Sequence, residues 1–207
     1  MSLREVKMTD KKGRTYETEL PEGYEEVMRV DVQDKRFAVI LNIAAIVITA
    51  LIVAAALRIM RPRDFTDDLT LSGMLAFFLL FVVYIVLHEL VHGAAYKLLT
   101  GQKLKFGLTL GAAYCGVPDI YVYRSASLIA LLAPFVVFNA VFLAMALLLP
   151  DQWSRFFSAL LFAFHFGGCA GDLYMTLLFM TRFRDGRTLT RDFGPAAAYY
   201  RPKERGE

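Results

Sequence analysis

Three residues carry the chemistry that the chain's spacing makes available: His88, Glu89 and His92, in the run His88-Glu89-Leu90-Val91-His92-Gly93. Two histidines four apart on a helix share one face, so both imidazoles can reach a single metal ion. Glu89 is offset around the helix, beside that ion rather than on it, where a general base would stand. This is the HExxH arrangement of zinc metalloproteases. The motif closes a long apolar run, for Leu71 through Leu87 carries no charge. Ionisable side chains at membrane depth are costly, and those that occur are usually functional. The plainer reading, a polar helix end reaching for the interface, accounts less well for that spacing at that depth.

The elements that must position these residues follow from composition and pattern. The chain has 207 residues, 57% of them hydrophobic. That is too apolar for an ordinary soluble domain and long enough for one membrane domain with short appendages. A net charge of +3 without a clustered basic stripe argues against a nucleic-acid partner. Two cysteines, Cys115 and Cys169, cannot build a disulfide framework and are expected to be reduced.

Four apolar stretches are long enough to span a bilayer: Phe37 to Leu57, about Leu71 to Lys97, Ser125 to Leu149, and Trp153 to Thr181. Between the second and third, Lys103 to Tyr123 is interrupted by Gly107, Gly111, Gly116 and Pro118 and is rich in strand formers. The expected fold is therefore mainly α, a polytopic membrane protein of four transmembrane helices with a short β-hairpin-like or re-entrant segment between helices 2 and 3. Its expected divisions are an amino-terminal polar segment (1–36), a membrane metallopeptidase-like domain (37–181) and a basic tail (182–207), the last irregular and mobile. Within the first segment, Glu25 to Val32 reads equally as strand or amphipathic helix. Four spans put both termini and the Lys97–Arg124 loop on one side, with 19 of the 23 Lys and Arg residues. The positive-inside rule makes that side cytoplasmic, in a bacterial-type cell membrane.

A catalytic zinc wants three protein ligands and an open position. After His88 and His92, the contenders are His165, Asp172 and Cys169. On straight helices, His92 and His88 lie about 7 and 14 Å from the inner end of their span, Asp172 about 15 Å and His165 about 25 Å. Asp172 is level with the motif and supplies a hard anionic oxygen; His165 is about two turns farther out. His165 shares a face with Cys169 and Asp172, so it either enters the same cavity or bonds a neighbouring helix. The run Gly167-Gly168-Cys169-Ala170-Gly171 reads both as close helix packing and as room beside Asp172.

Together, the HExxH helix, the Ala113-Tyr114-Cys115 strand, the Leu132-Ala133-Pro134…Asn139 stretch, Gly171-Asp172 and the early Leu20-Pro21-Glu22-Gly23-Tyr24 resemble the putative zincin peptidase family of small membrane proteins. The likeness covers roughly residues 20 to 182. More distantly the chain resembles the site-2 protease class of intramembrane metalloproteases. Two positions depart from that class: Ala133 stands for the glycine before the proline, and Gly171-Asp172 is followed by Leu173. The resemblance implies zinc held by His88, His92 and Asp172, with Glu89 catalytic. Residues expected near the substrate or behind the ligands are His165, Asn139, Pro134, Tyr114 and Cys169.

The expected function is zinc-dependent hydrolysis of a membrane-embedded or membrane-adjacent peptide. An edge strand near Ala112 to Val117 is expected to hold the unwound peptide. The alternative is a non-catalytic metal-binding membrane protein that binds partner helices; a metal transporter ranks below both. The oligomeric state is not legible.

Overall fold

The computed structural model describes residues 15–60, 70–109 and 113–203. The turn signals at Lys12-Gly13 and Gly111, and the stop at Arg61-Pro62-Arg63, lie outside the described residues. The apolar stretches are helical because unpaired backbone groups are too costly in a bilayer. Among the described residues, three helices are each long and apolar enough to cross a membrane: α1 (Lys35–Met60), α2 (Leu71–Thr100) and α3 (Arg124–Leu148). Thr70 starts α2 by accepting from the Gly73 amide at 3.1 Å. Gly101 ends it in the left-handed region, at φ 68°, donating its N–H to the Lys97 carbonyl.

The stretch expected as one helix from Trp153 to Thr181 is two: α4 (Gln152–Gly168) and α5 (Ala170–Thr181), bent by 47°. The bend falls where consecutive glycines make a helix weakest. Gly167 meets α1 directly. A Cβ there would stand 2.6 Å from the Ala45 carbonyl oxygen and against the Thr49 hydroxyl. That hydroxyl donates to the Ala163 carbonyl at 3.3 Å. Gly168 and Gly171 have no such neighbour and border a cavity. The small-residue run thus divides by position, with Gly167 for packing and the other two for space.

Among the described residues, seven strands accompany the helices: β1 (Tyr16–Glu17), β2 (Tyr24–Asp31), β3 (Lys105–Leu108), β4 (Ala113–Gly116), β5 (Tyr121–Tyr123), β6 (Leu189–Asp192) and β7 (Ala196–Pro202). Five of them form one antiparallel sheet in the order β1-β5-β6-β7-β2. The tail expected to be irregular is therefore strand on both sides of a tight turn, with Leu189, Ala198 and Tyr199 fully buried. The ambiguous Glu25–Val32 piece becomes strand because it pairs with β7 from Tyr24↔Pro202 to Asp31↔Ala196. Local propensity could not see that partner, some 170 residues away. Val30, Phe179, Phe183 and Tyr199 form one buried cluster that fastens the sheet to α5. Arg124 reinforces the joint, donating to the Phe183 carbonyl at 2.8 Å and the Phe179 carbonyl at 3.1 Å.

The remaining two strands, β3 and β4, pair antiparallel from Lys105↔Gly116 to Leu108↔Ala113. Lys103 to Tyr123 thus holds a separate hairpin and a strand, β5, that joins the larger sheet. The hairpin lies on α2 at Gly93, where a Cβ would come within 2.8 Å of the Phe106 ring. The glycine that ends the HExxHG run is what lets the hairpin approach the helix carrying the histidines.

Candidate metal centre

Tyr84, His88 and His92 stand one helical turn apart on α2, and all three are buried. Asp172 arrives from the first turn of α5, a helix end that favours a carboxylate. Its Oδ2 lies 3.3 Å from His88 Nε2 and 3.5 Å from His92 Nε2. Tetrahedral zinc, with bonds of about 2.0–2.1 Å, sets neighbouring ligand atoms about 3.3–3.4 Å apart. The two observed separations are those of edges of such a tetrahedron. With lone pairs on both Nε2 atoms, the two imidazoles and the carboxylate form a set of three acceptors that a cation between them would satisfy. The donor set, two nitrogens and one oxygen, suits zinc with one position left open.

The far side of each ring decides which nitrogen faces Asp172. His92 Nδ1 lies 2.9 Å from the Ala130 carbonyl oxygen, which can only accept. A neutral His92 therefore carries its proton on Nδ1, and its Nε2 offers a lone pair. His88 Nδ1 lies 3.2 Å from the Tyr84 hydroxyl, which is also 2.7 Å from His165 Nδ1. One hydroxyl donates one proton. If it donates along the shorter contact, to His165, it accepts from His88 Nδ1–H and leaves His88 Nε2 free for a metal.

The straight-helix comparison set His165 two turns away from the pair. With α4 and α5 bent, its ring centroid lies 5.8 Å from that of His88, and the residue is fully buried. It is a hydrogen-bond partner of α2 rather than a lining residue of the cavity. His88, His165 and Cys169 form a second close group. There the Cys169 sulfur is nearly equidistant from both His165 ring nitrogens, at 3.6 and 3.8 Å, so it lies along neither lone pair. Tyr84 already occupies the two Nδ1 atoms, and neither His165 nor Cys169 borders the cavity. The group containing Asp172 is the better fit to a metal.

Glu89 points into a cavity of about 210 Å³ that also borders His88, His92 and Asp172. The Cys115 backbone amide hydrogen-bonds its carboxylate. Because that amide bonds Glu89, it is turned to the outer edge of β4 rather than to β3. Among the described residues that edge is unpaired. Burial, with Asp192 and Glu89 nearby, pushes the Cys115 thiol up to about 12, so it stays protonated. Tyr114 lines the cavity and packs against Gly107 and Gly194. Pro134 is buried inside α3. Asn139 does not border the cavity, and its side-chain oxygen is buried without a partner among the described residues.

Several residues of the site are not evident from the motif. Tyr84 reads as one more residue of an apolar span, although its place one turn before His88 could have flagged it. Asp192 comes from the tail. It accepts from the Tyr96 hydroxyl at 2.9 Å and the Gly194 amide at 2.8 Å, and burial raises its carboxyl to about 6. No local pattern connects it to a helix that lies 96 residues earlier.

These features define a class: a chain of membrane-length helices with an HExxH helix and an aspartate helix meeting at one cavity. The chain belongs to the family described as putative zincin peptidase, whose model matches residues 80–185. That match takes in α5 and most of α2, while β2, β6 and β7, which also border the cavity, lie outside it. No curated protein and no solved structure matches the chain.

Proposed function

We propose that the protein is a zinc-dependent endopeptidase acting on membrane-embedded or membrane-adjacent peptides, with His88, His92 and Asp172 as ligands and Glu89 as general base. The observation that carries the reading is the convergence of three ligand atoms at tetrahedral-edge distances beside a half-buried glutamate that faces a cavity. Zinc would supply Lewis acidity and bring the pKa of a water towards about 7. Glu89 would take the proton of the attacking water and pass it to the leaving amine. The Cys115 amide holds the Glu89 carboxylate in place for that transfer.

Helical amides are protected by their own hydrogen bonds, so a substrate must be unwound where it is cut. The edge of β4 at Ala113 to Cys115, unpaired among the described residues, offers backbone partners to an extended segment, directly beside Glu89. Gly168 and Gly171 keep the opposite wall low. The bent α4–α5 pair serves as the fourth span. Both termini and the sheet then lie on the cytoplasmic side of a bacterial-type cell membrane, where 19 of 23 basic residues fall. On this arrangement 37–181 forms the membrane domain, and the amino-terminal segment and tail together build the sheet beside it.

The test is Glu89→Gln, which keeps size but removes the base. Wild type and variant are incubated in detergent with a pool of membrane-derived peptides, and products are read by mass spectrometry. Zinc-dependent cuts should fall about 10²–10⁴-fold in the variant while bound zinc is retained. Equal cleavage by both removes Glu89 from the mechanism. A zinc-loaded wild type that cuts nothing favours a non-catalytic binder of partner helices.

A further inference from the structure

We infer that Pro134 is a positioning residue for the metal centre: by lacking an N–H it frees the Ala130 carbonyl, four residues earlier, to hold His92. In an α-helix the carbonyl of residue 130 accepts from the amide of residue 134. Proline has no such donor, so its presence inside α3 leaves that acceptor open. The place is closed to water, for Ala130 is 0% exposed and Pro134 is among the fully buried residues. A buried carbonyl must be satisfied by something else. Here it is satisfied by His92 Nδ1, at 2.9 Å.

The chemistry runs in both directions. The freed carbonyl is an acceptor only, so it fixes the His92 proton on Nδ1 and turns the Nε2 lone pair towards Asp172, 3.5 Å away. In return the imidazole relieves the helix defect that proline creates. Neither residue explains itself alone: a proline in the middle of a buried helix is costly, and a buried imidazole without a fixed tautomer is a poor ligand. The two helices α2 and α3 are thus joined at the level of the metal by one hydrogen bond that a proline makes available.

This inference rests on His92 being a zinc ligand, and the test separates the two. Pro134→Ala restores an N–H that reclaims the Ala130 carbonyl. A second variant replaces Pro134 by the α-hydroxy acid counterpart of alanine, lactic acid, through nonsense suppression; its ester linkage has no N–H. Both remove the ring and only the first returns the donor. Zinc affinity of the full-length protein in detergent is measured by competition with a chelating dye. The ¹⁵N shifts of His92 in metal-free protein report its tautomer. The expected result is an affinity about 10–100-fold lower for Pro134→Ala, with a mixed His92 tautomer, and near wild-type behaviour for the ester variant. Unchanged affinity and tautomer in Pro134→Ala would overturn the inference. Equal loss in both variants would also overturn it, showing that ring packing rather than the freed carbonyl matters. A wild type whose zinc affinity is indifferent to His92→Ala would instead overturn the ligand assignment itself.

Discussion

Replacing Tyr84 by Phe isolates the second link behind the metal centre. The ring and its edge-on contact with Phe138, at a centroid distance of 5.2 Å, are retained. What disappears is one oxygen that serves two imidazoles, at 3.2 Å to His88 Nδ1 and 2.7 Å to His165 Nδ1. His165 is fully buried and loses its partner there, which costs about 1–3 kcal/mol of stability. With the hydroxyl donating to His165, His88 loses the acceptor for its Nδ1–H, so Nε2 no longer faces Asp172 as a fixed lone pair. Loss of such an outer partner lowers metal affinity about 10–100-fold, equivalent to about 1.4–2.8 kcal/mol. A dye-competition titration in detergent near neutral pH measures the affinity, and a thermal melt measures the stability. Wild-type zinc affinity in a folded Tyr84→Phe protein would refute the role given to the hydroxyl. So would an affinity loss in Tyr84→Phe that persists undiminished when His88 is already replaced.

Other outcomes follow from single features. Gly167→Val should destabilise the protein by about 1–3 kcal/mol in a melt, because the added carbons meet the Ala45 carbonyl oxygen, which a Cβ alone would approach to 2.6 Å. Asp192 has a folded pKa of about 6 against an unfolded value of about 3.9, so the folded state binds more protons between them. Its contribution to stability is therefore greatest below about pH 4 and is lost as pH rises through 6; Asp192→Asn should flatten that part of a stability-versus-pH curve. Reporter fusions after Lys105 and Arg205 should both report cytoplasm and one after Asp67 the opposite side, given the distribution of basic residues. A non-cytoplasmic signal at Lys105 would contradict the four-span arrangement.

The parts of this molecule that were legible in its sequence are those set by short-range rules. An uncharged run announces a membrane-length helix, and His88 and His92 share a face because helices repeat every 3.6 residues. Asp172 could be matched to them by counting rise along two helices, and its carboxylate does lie beside both rings. The same counting failed for His165 because it assumed a straight helix, and a bend of 47° at the glycines moves the ring to His88. The tail failed for a different reason. Leu189 to Pro202 becomes strand through partners at residues 24–31 and 122–123, and such pairings leave no periodic trace. The hydrogen bond from His92 to a backbone carbonyl has no side-chain signature at all, apart from the proline that exposes it.

Zinc bound by two imidazole nitrogens and one carboxylate oxygen is the centre of the proposed chemistry, and X-ray absorption at the zinc edge tests that most directly. Full-length protein loaded with one equivalent of zinc in detergent should show only nitrogen and oxygen neighbours at about 2.0–2.1 Å, with the outer-shell scattering of two imidazoles. Asp172→Ala should change that first shell and Cys169→Ala should not. A sulfur neighbour at about 2.3 Å would contradict this ligand set, which contains no cysteine.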